Sequence, residues 1–337
     1  GEYTLPASGT YAIYVTDNGK SDKFDYTLFM QCLGTCSAGT PLSPASMSPA
    51  ASSGATQTIT ASFNAPGGYQ TLGVVNLLIN SALDARQACY LAYVVPANAL
   101  YIVPDNGDSS QLSGKVMDGA GTVGNSQCTV ALSGSSAIGN GNTLTLTLNM
   151  SFPTSFGGAK LIYAAARDAA GNNSGWQTMG VHSVPPMPST FPNPVSMSPA
   201  YGSASTQTIT FTYQDQSAAT NLQTVWVLFN TALDANKACY IAYYRPGNLL
   251  LLFPDNGDGS KTTSMVLAGS NSVSNSQCSV SAQGASAQVS GKTLTLTLPI
   301  TFKTSFAGYK AAWMAASTLD AHISLWQALG AQTVPWY

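Results

Sequence analysis

Thr143-Leu-Thr-Leu-Thr-Leu148 returns unchanged 150 residues later, at residues 293–298. Hydroxyl and apolar side chains alternate through it with period 2, which places Leu on one face of an extended strand and Thr on the other. Working outward, the same offset carries Thr56-Gln-Thr-Ile-Thr60 onto residues 206–210 and Ser46-Met-Ser-Pro-Ala50 onto 196–200. It also carries Ala82-Leu-Asp-Ala85 onto 232–235, Pro104-Asp-Asn-Gly-Asp108 onto 254–258, and Asn125-Ser-Gln-Cys128 onto 275–278. The register holds without a gap from Pro44 to Pro185, so the chain contains two copies of one domain.

Each copy reads as all β. Further strand candidates are residues 74–79, 90–95, 100–103, 128–132, 161–166 and 179–184, each with a counterpart in the second copy. Gly, Asn, Pro and Ser separate them, and Asp105-Asn-Gly107 is a strong turn signal. No window shows a sustained 3.6-residue period with caps. Eight or nine strands per copy fit a two-sheet sandwich better than a closed barrel. The expected fold is therefore all-β, two tandem immunoglobulin-like β-sandwiches preceded by an N-terminal partial β-sheet segment. The expected layout is a partial β segment over 1–36, a linker over 37–43, a first sandwich over 44–184, a Pro-rich linker over 185–194, and a second sandwich over 195–337. Five prolines in residues 185–194 favour polyproline II, a semi-rigid spacer expected to hold the sandwiches in line and apart.

Only 26 of the 337 residues are charged, 12 Lys and Arg against 14 Asp and Glu. The 40 Ser and 34 Thr take over the hydration that charges usually provide. A net charge of −2 excludes a nucleic-acid partner, whose phosphates require a local excess of Lys and Arg, and disfavours a polybasic membrane contact. No apolar run reaches the roughly 20 residues of a membrane-spanning helix, so no membrane insertion is expected. The chain opens at Gly1 without Met or a charged-then-apolar leader, as expected of a processed protein or a segment of a longer one.

Cys89 and Cys128 are 39 residues apart, and so are Cys239 and Cys278. One such pair per copy points to a disulfide inside each sandwich and hence to an oxidising compartment, extracellular or at the cell surface. Buried free thiols are the alternative, while two His and no paired C-x-x-C knuckle argue against zinc. Cys32 and Cys36, four apart, have the spacing of a small local ring.

Ala88-Cys-Tyr-Leu-Ala-Tyr93, Asn125-Ser-Gln-Cys128 and the Thr-Leu run followed by Phe152-Pro-Thr-Ser-Phe156 resemble a repeat of large secreted bacterial proteins. Ala166-Arg-Asp-Ala-Ala-Gly-Asn-Asn-Ser-Gly-Trp176 resembles the last hairpin of bacterial immunoglobulin-like modules, and the second copy departs from it with Thr318-Leu-Asp-Ala-His-Ile-Ser-Leu-Trp326. Leu5-Pro-Ala-Ser-Gly-Thr-Tyr11 and Asp25-Tyr-Thr-Leu28 resemble the final strands of a bacterial pre-peptidase C-terminal domain. The resemblance implies extracellular display rather than catalysis. Two or three strands cannot close a core alone, so the N-terminal segment needs completion from upstream residues, the neighbouring sandwich or another chain.

Catalytic material is sparse. There is no G-x-S-x-G elbow, no H-E-x-x-H and no phosphate-cradling loop, and His182 and His322 align with Gln332 and Asn172, so neither belongs to a site shared by the copies. No catalytic residue, cofactor or metal is expected. Asp84 and Asp234 read as turn residues. Asp105, Asn106 and Asp108, with Asp255, Asn256 and Asp258, have the oxygens for Ca²⁺ but lack the EF-hand spacing, and a plain turn is the simpler reading. Tyr90, Tyr93 and Tyr101, with Tyr240, Tyr243 and Tyr244, serve packing, a subunit contact or stacking on sugar rings. Asn149 and Asn172 begin N-x-S sequons and are candidate glycosylation sites. The expected function is that of a non-enzymatic structural protein, the head-to-tail homopolymer subunit of an extracellular bacterial fibre or adhesin stalk. The alternative is a glycan-binding appendage of a secreted enzyme. Residues 61–70 share nothing with 211–220 and mark where the copies are expected to differ in partner contacts.

Overall fold

The computed structural model describes residues 41–188 and 190–335; the N-terminal segment, Cys32 and Cys36 lie outside them. In the first copy the strands are β1 (Ser43–Ser48), β2 (Ala51–Ser53), β3 (Thr56–Asn64), β4 (Leu72–Asn80), β5 (Cys89–Val94) and β6 (Ala99–Ile102). They continue with β7 (Ser113–Val116), β8 (Thr122–Gly124), β9 (Thr129–Asn140), β10 (Thr143–Ser151), β11 (Gly158–Asp168) and β12 (Gln177–Val184). The second copy supplies β13 (Asn193–Ser198), β14 (Tyr201–Gly202), β15 (Thr206–Gln214), β16 (Leu222–Asn230), β17 (Cys239–Tyr244), β18 (Leu249–Leu252) and β19 (Thr263–Val266). It ends with β20 (Ser272–Ser274), β21 (Cys278–Ser281), β22 (Ser286–Ser290), β23 (Thr293–Phe302), β24 (Gly308–Thr318) and β25 (Gln327–Val334). Among the described residues the only helical elements are six three-residue 3₁₀ turns.

The chain is all β. One sheet of the first copy has the order β1-β3-β10-β9-β8, and the other runs β2-β12-β11-β4-β5-β6-β7. The second copy repeats both as β13-β15-β23-β21-β20, with β22 also on β23, and β14-β25-β24-β16-β17-β18-β19. Pairing is antiparallel except for β2 on β12 and β14 on β25. The period-2 pattern explains the layering: Leu144, Leu146 and Leu148 point into a core with Ile59, Phe63, Leu77 and Ile79, while Thr143, Thr145 and Thr147 stay half-buried on the outer face. The second copy builds the same core around Leu294, Leu296, Leu298 and Phe211.

Both expected disulfides are present. Cys89 at the start of β5 joins Cys128 ahead of β9 with Cα atoms 5.5 Å apart, and Cys239 joins Cys278 at 5.6 Å, so each bridge staples one sheet to the other. Each pairing points to folding in an oxidising compartment. No helix among the described residues is long and apolar enough to cross a membrane.

One expectation is overturned. The Pro-rich linker does not hold the sandwiches apart: Leu161, Tyr163 and Val181 of the first copy share a buried cluster with Ala311, Trp313, Ala328 and Ala331 of the second. β12 lies against β25 and β24, and β11 against β25, so equivalent strands meet in a pseudo-twofold contact. Within the linker Pro188 lies beside Gly158 of the first sandwich, and the Pro188 carbonyl accepts from Asn193 Nδ2 at 3.2 Å. Apolar outer faces on the seven-stranded sheets supply the driving force that linker stiffness cannot oppose.

Candidate functional site

The acids named from the sequence serve as turn residues. Asp84 accepts from the Arg86 side chain and backbone, with a 2.6 Å ion pair, and those hydrogen bonds lower its pKa to about 2. Asp234 Oδ1 accepts from Asn236 N. Asp105 Oδ1 accepts from Ser126 N, and Asn106 Oδ1 from Asp108 N. Asp108 takes the Ser110 backbone and hydroxyl on one oxygen and Gln111 Nε2 on the other. Asp255, Asn256 and Asp258 repeat this pattern onto Ser276, Asp258 N and Ser260. Gly107 and Gly257, at φ 78° and 71°, supply the left-handed residue that the turn requires. Among the described residues no three His, Cys, Asp or Glu gather in metal-binding geometry.

Among the described residues, His182 is the one placed in a chemically suggestive setting. The parallel pairing of β2 with β12 brings Ser52 Oγ within 2.8 Å of its Nδ1, and Nε2 lies 3.0 Å from Gly54 O. A carbonyl accepts only, so Nε2 carries the proton and Nδ1 accepts from Ser52, an order of serine, imidazole and orienting group formally like that of a nucleophile and its base. The second copy decides what it does. There Gln332 occupies the histidine position and donates through Nε2 to Ala204 O at 3.0 Å, while Gly202 replaces the serine. Both side chains thus bond the carbonyl at the equivalent position of the loop, and His182, at 0% exposure against the Phe152 ring, has no open approach for a substrate. Burial lowers its pKa and keeps it neutral. This pairing spans 130 residues and left no mark in the sequence. His322 lies in an exposed hairpin, 3.2 Å from Asp320.

The tyrosines divide between two structural settings. Tyr93 and Tyr243 sit in the two cores and donate to Asn98 and Asn248 Oδ1 at 2.9 and 3.0 Å. Tyr90 packs edge-on against Trp176, and Tyr240 stacks on Phe253 and meets Trp326, all at the cluster where the sandwiches join or beside it. Tyr101 and Tyr244 are half-buried. Asn149 is exposed on the outer face of β10, and Asn172 is exposed with its amide bonded to Asp168.

Sequence reasoning missed a buried cation. Lys310 is 6% exposed, donates to Ala307 O at 2.9 Å and lies 4.6 Å from the centre of the Phe306 ring; Lys160 repeats this over Phe156. Burial pulls the Lys310 pKa down to about 8. From pH 8 to about 10.4 the unfolded chain therefore holds a proton that the folded one has released, and stability rises with pH. Above about pH 10 the trend reverses, because burial raises the pKa of Tyr163 and Tyr213 and the unfolded tyrosines ionise first. Chemical denaturation is expected to show a gain of about 1–2 kcal/mol between pH 7 and 9.5, most of which Lys310→Met removes, Lys160 supplying a smaller part of the same sign.

A cavity of ≈ 570 Å³ opens at one end of the first sandwich, between Leu42, the Ala65-Pro-Gly67 turn and Ala169-Ala170. A smaller one of ≈ 190 Å³ lies beside Phe253 and Lys261 in the second. No protein-family model matches the chain, and no curated protein matches it either.

Proposed function

We propose that this chain is a non-enzymatic structural protein, the self-associating subunit of an extracellular fibre or of a surface adhesin stalk. The observation that carries this reading is charge. The strands of the five-stranded sheet and of its six-stranded counterpart contain no Asp, Glu, Lys or Arg. Their outer faces are ladders of hydroxyls instead, with Thr60 bonded to Thr147 at 3.2 Å and Thr210 to Thr297 at 3.1 Å. Charged side chains are the ordinary barrier between one sheet and another, and here that barrier is missing from two whole sheets.

Association between sandwiches fits better than strand addition at β1 or β13. These edges carry Pro44 and Pro194, each followed by a register shift, and both features discourage a further strand. The aromatic residues best suited to stack on sugars, Tyr90, Trp176, Tyr240 and Trp326, pack at the cluster between sandwiches, which favours the structural reading over a glycan-binding appendage. The likeness to repeats of large secreted bacterial proteins points the same way, and exposed Asn149 and Asn172 are available for sugar that would add hydration. Sedimentation velocity over a concentration series, with negative-stain microscopy, tests the reading. The wild-type chain is expected to form filaments or concentration-dependent oligomers, and Thr145→Lys with Thr295→Lys to shift them toward monomer. A wild-type monomer at every concentration would overturn it.

A further inference from the structure

The two copies share one backbone at their last hairpin and differ in what it presents. In each, the residue at position 174 or 324 donates its amide to the carbonyl of 166 or 316, and an isolated bridge joins Arg167 to Asn173 and Ser317 to Ile323. Where the first copy has Ala169, Asn173 and Gly175, the second has Leu319, Ile323 and Leu325, exposed by 52%, 70% and 85%. Leu83 with Leu233 and Val116 with Val266 are exposed in both copies, while Leu112 and Ile138 are exposed in the first copy where the second has Thr262 and Gln288. The hairpin apolar residues belong to the second copy alone.

The neighbouring turn differs in the opposite sense. In the second copy Asp215 fills this region, accepting from Ser217 N and Oγ, from Ala218 N and from Asn221 Nδ2. In the first copy the turn is Ala65-Pro-Gly67 without a polar side chain, and among the described residues the ≈ 570 Å³ cavity there is lined by Leu42, Ala169 and Ala170, with Thr71, Asp168 and Asn172 as its polar members. One copy carries an apolar knob and the other an apolar socket.

These two features lie at different ends of the molecule. The socket sits at the Asp168 end of β11, and the linker leaves from Val184, which pairs with Gly158 at the other end, about 33 Å away for an eleven-residue strand. The linker delivers the chain to the hairpin end of the second sandwich, where Gln327 Nε2 donates to Asn193 Oδ1 at 2.7 Å and Asn193 in turn holds Pro188 beside Gly158. The knob therefore lies near the linker, a strand's length from its own socket.

We propose that the occupant of the socket is a second copy of this chain, whose Leu319, Ile323 and Leu325 hairpin inserts between Ala65-Pro-Gly67 and Ala169-Ala170. Such a contact joins unlike surfaces and leaves a free knob and a free socket at the two ends, so it propagates head to tail into an open polymer. Three side chains anchor the contact, and a specific interface needs ~1,000 Å² in all, so the contact requires burial of the surrounding rims as well. This rests on the self-association reading above.

The test uses two full-length variants. Ile323→Asp with Leu325→Asp removes the knob from an exposed hairpin, and exchange of residues 65–70 for 215–220 closes the socket; circular dichroism melts confirm that both fold. Sedimentation velocity is expected to show each variant alone as a monomer, with self-association weakened at least tenfold, and their mixture as a one-to-one dimer that grows no further. Variants that assemble as the wild type does would overturn the knob and socket while leaving self-association standing. A monomeric wild type would overturn both, and homodimers of either variant would show a contact of another kind.

Discussion

Replacing Cys89 and Cys128 together with Ala is expected to destabilise the first sandwich by about 4 kcal/mol in the chain-entropy account of a ~40-residue loop. Mild reduction of both bridges should act on the second sandwich as well, because Cys239 and Cys278 close a loop of the same separation of 39. The bridge does not act alone. Asn125 reaches from the loop before Cys128 to donate to the Ala88 and Val103 carbonyls, and its Oδ1 accepts from Gln127 and Cys128 N. Asn275 repeats all four contacts with Ala238, Phe253, Gln277 and Cys278. The folded ends therefore stay aligned without the sulfur bond, and the loss falls on the unfolded chain, which regains the freedom of the opened loop. Urea denaturation with and without reductant checks this: the midpoint should fall while the native spectrum is kept. A loss below 1 kcal/mol would mean that the unfolded chain already holds these segments together.

How far the sequence reveals this molecule depends on where each contact is encoded. Alternation in residues 56–60 and 143–148 predicts β3 and β10 and the inward face of each, because a strand with one buried side needs only local pattern. The cysteine spacing, repeated in two copies, predicts both staples. The short strands β2, β7 and β8 carry no periodic apolar signal, since β7 is exposed throughout and β2 is held by a partner some 130 residues away. The contact between sandwiches does have a local mark that period-2 reading passes over. Leu161-Ile-Tyr-Ala-Ala-Ala166 does not alternate, and an unbroken apolar run is what a strand covered on both faces requires. The prolines of the linker point the other way, and polyproline stiffness is a weaker influence than two apolar faces.

That two-sided cover makes Trp313 the most consequential side chain of the contact. It is 3% exposed, it stands on β24 opposite Leu228 and Ala328, and its counterpart in the first copy is Tyr163, so each sandwich offers an aromatic residue from the equivalent position to the same cluster. Around it are mostly alanines, Ala311, Ala328 and Ala331, whose small size lets the two sheets approach closely enough for the indole to fill the space between them. Trp313→Ala is expected to cost about 3–5 kcal/mol, because alanine neighbours cannot extend into the cavity left behind. The form of the loss matters as much as its size. Both cores lie inside their own sandwiches and are untouched, so the variant should keep two folded units that no longer report on each other. Differential scanning calorimetry should then resolve two transitions where the wild-type chain shows one, and reduction of the disulfides should shift them independently. A single cooperative transition in Trp313→Ala would show that the coupling runs through the linker and β13 rather than through the paired sheet faces.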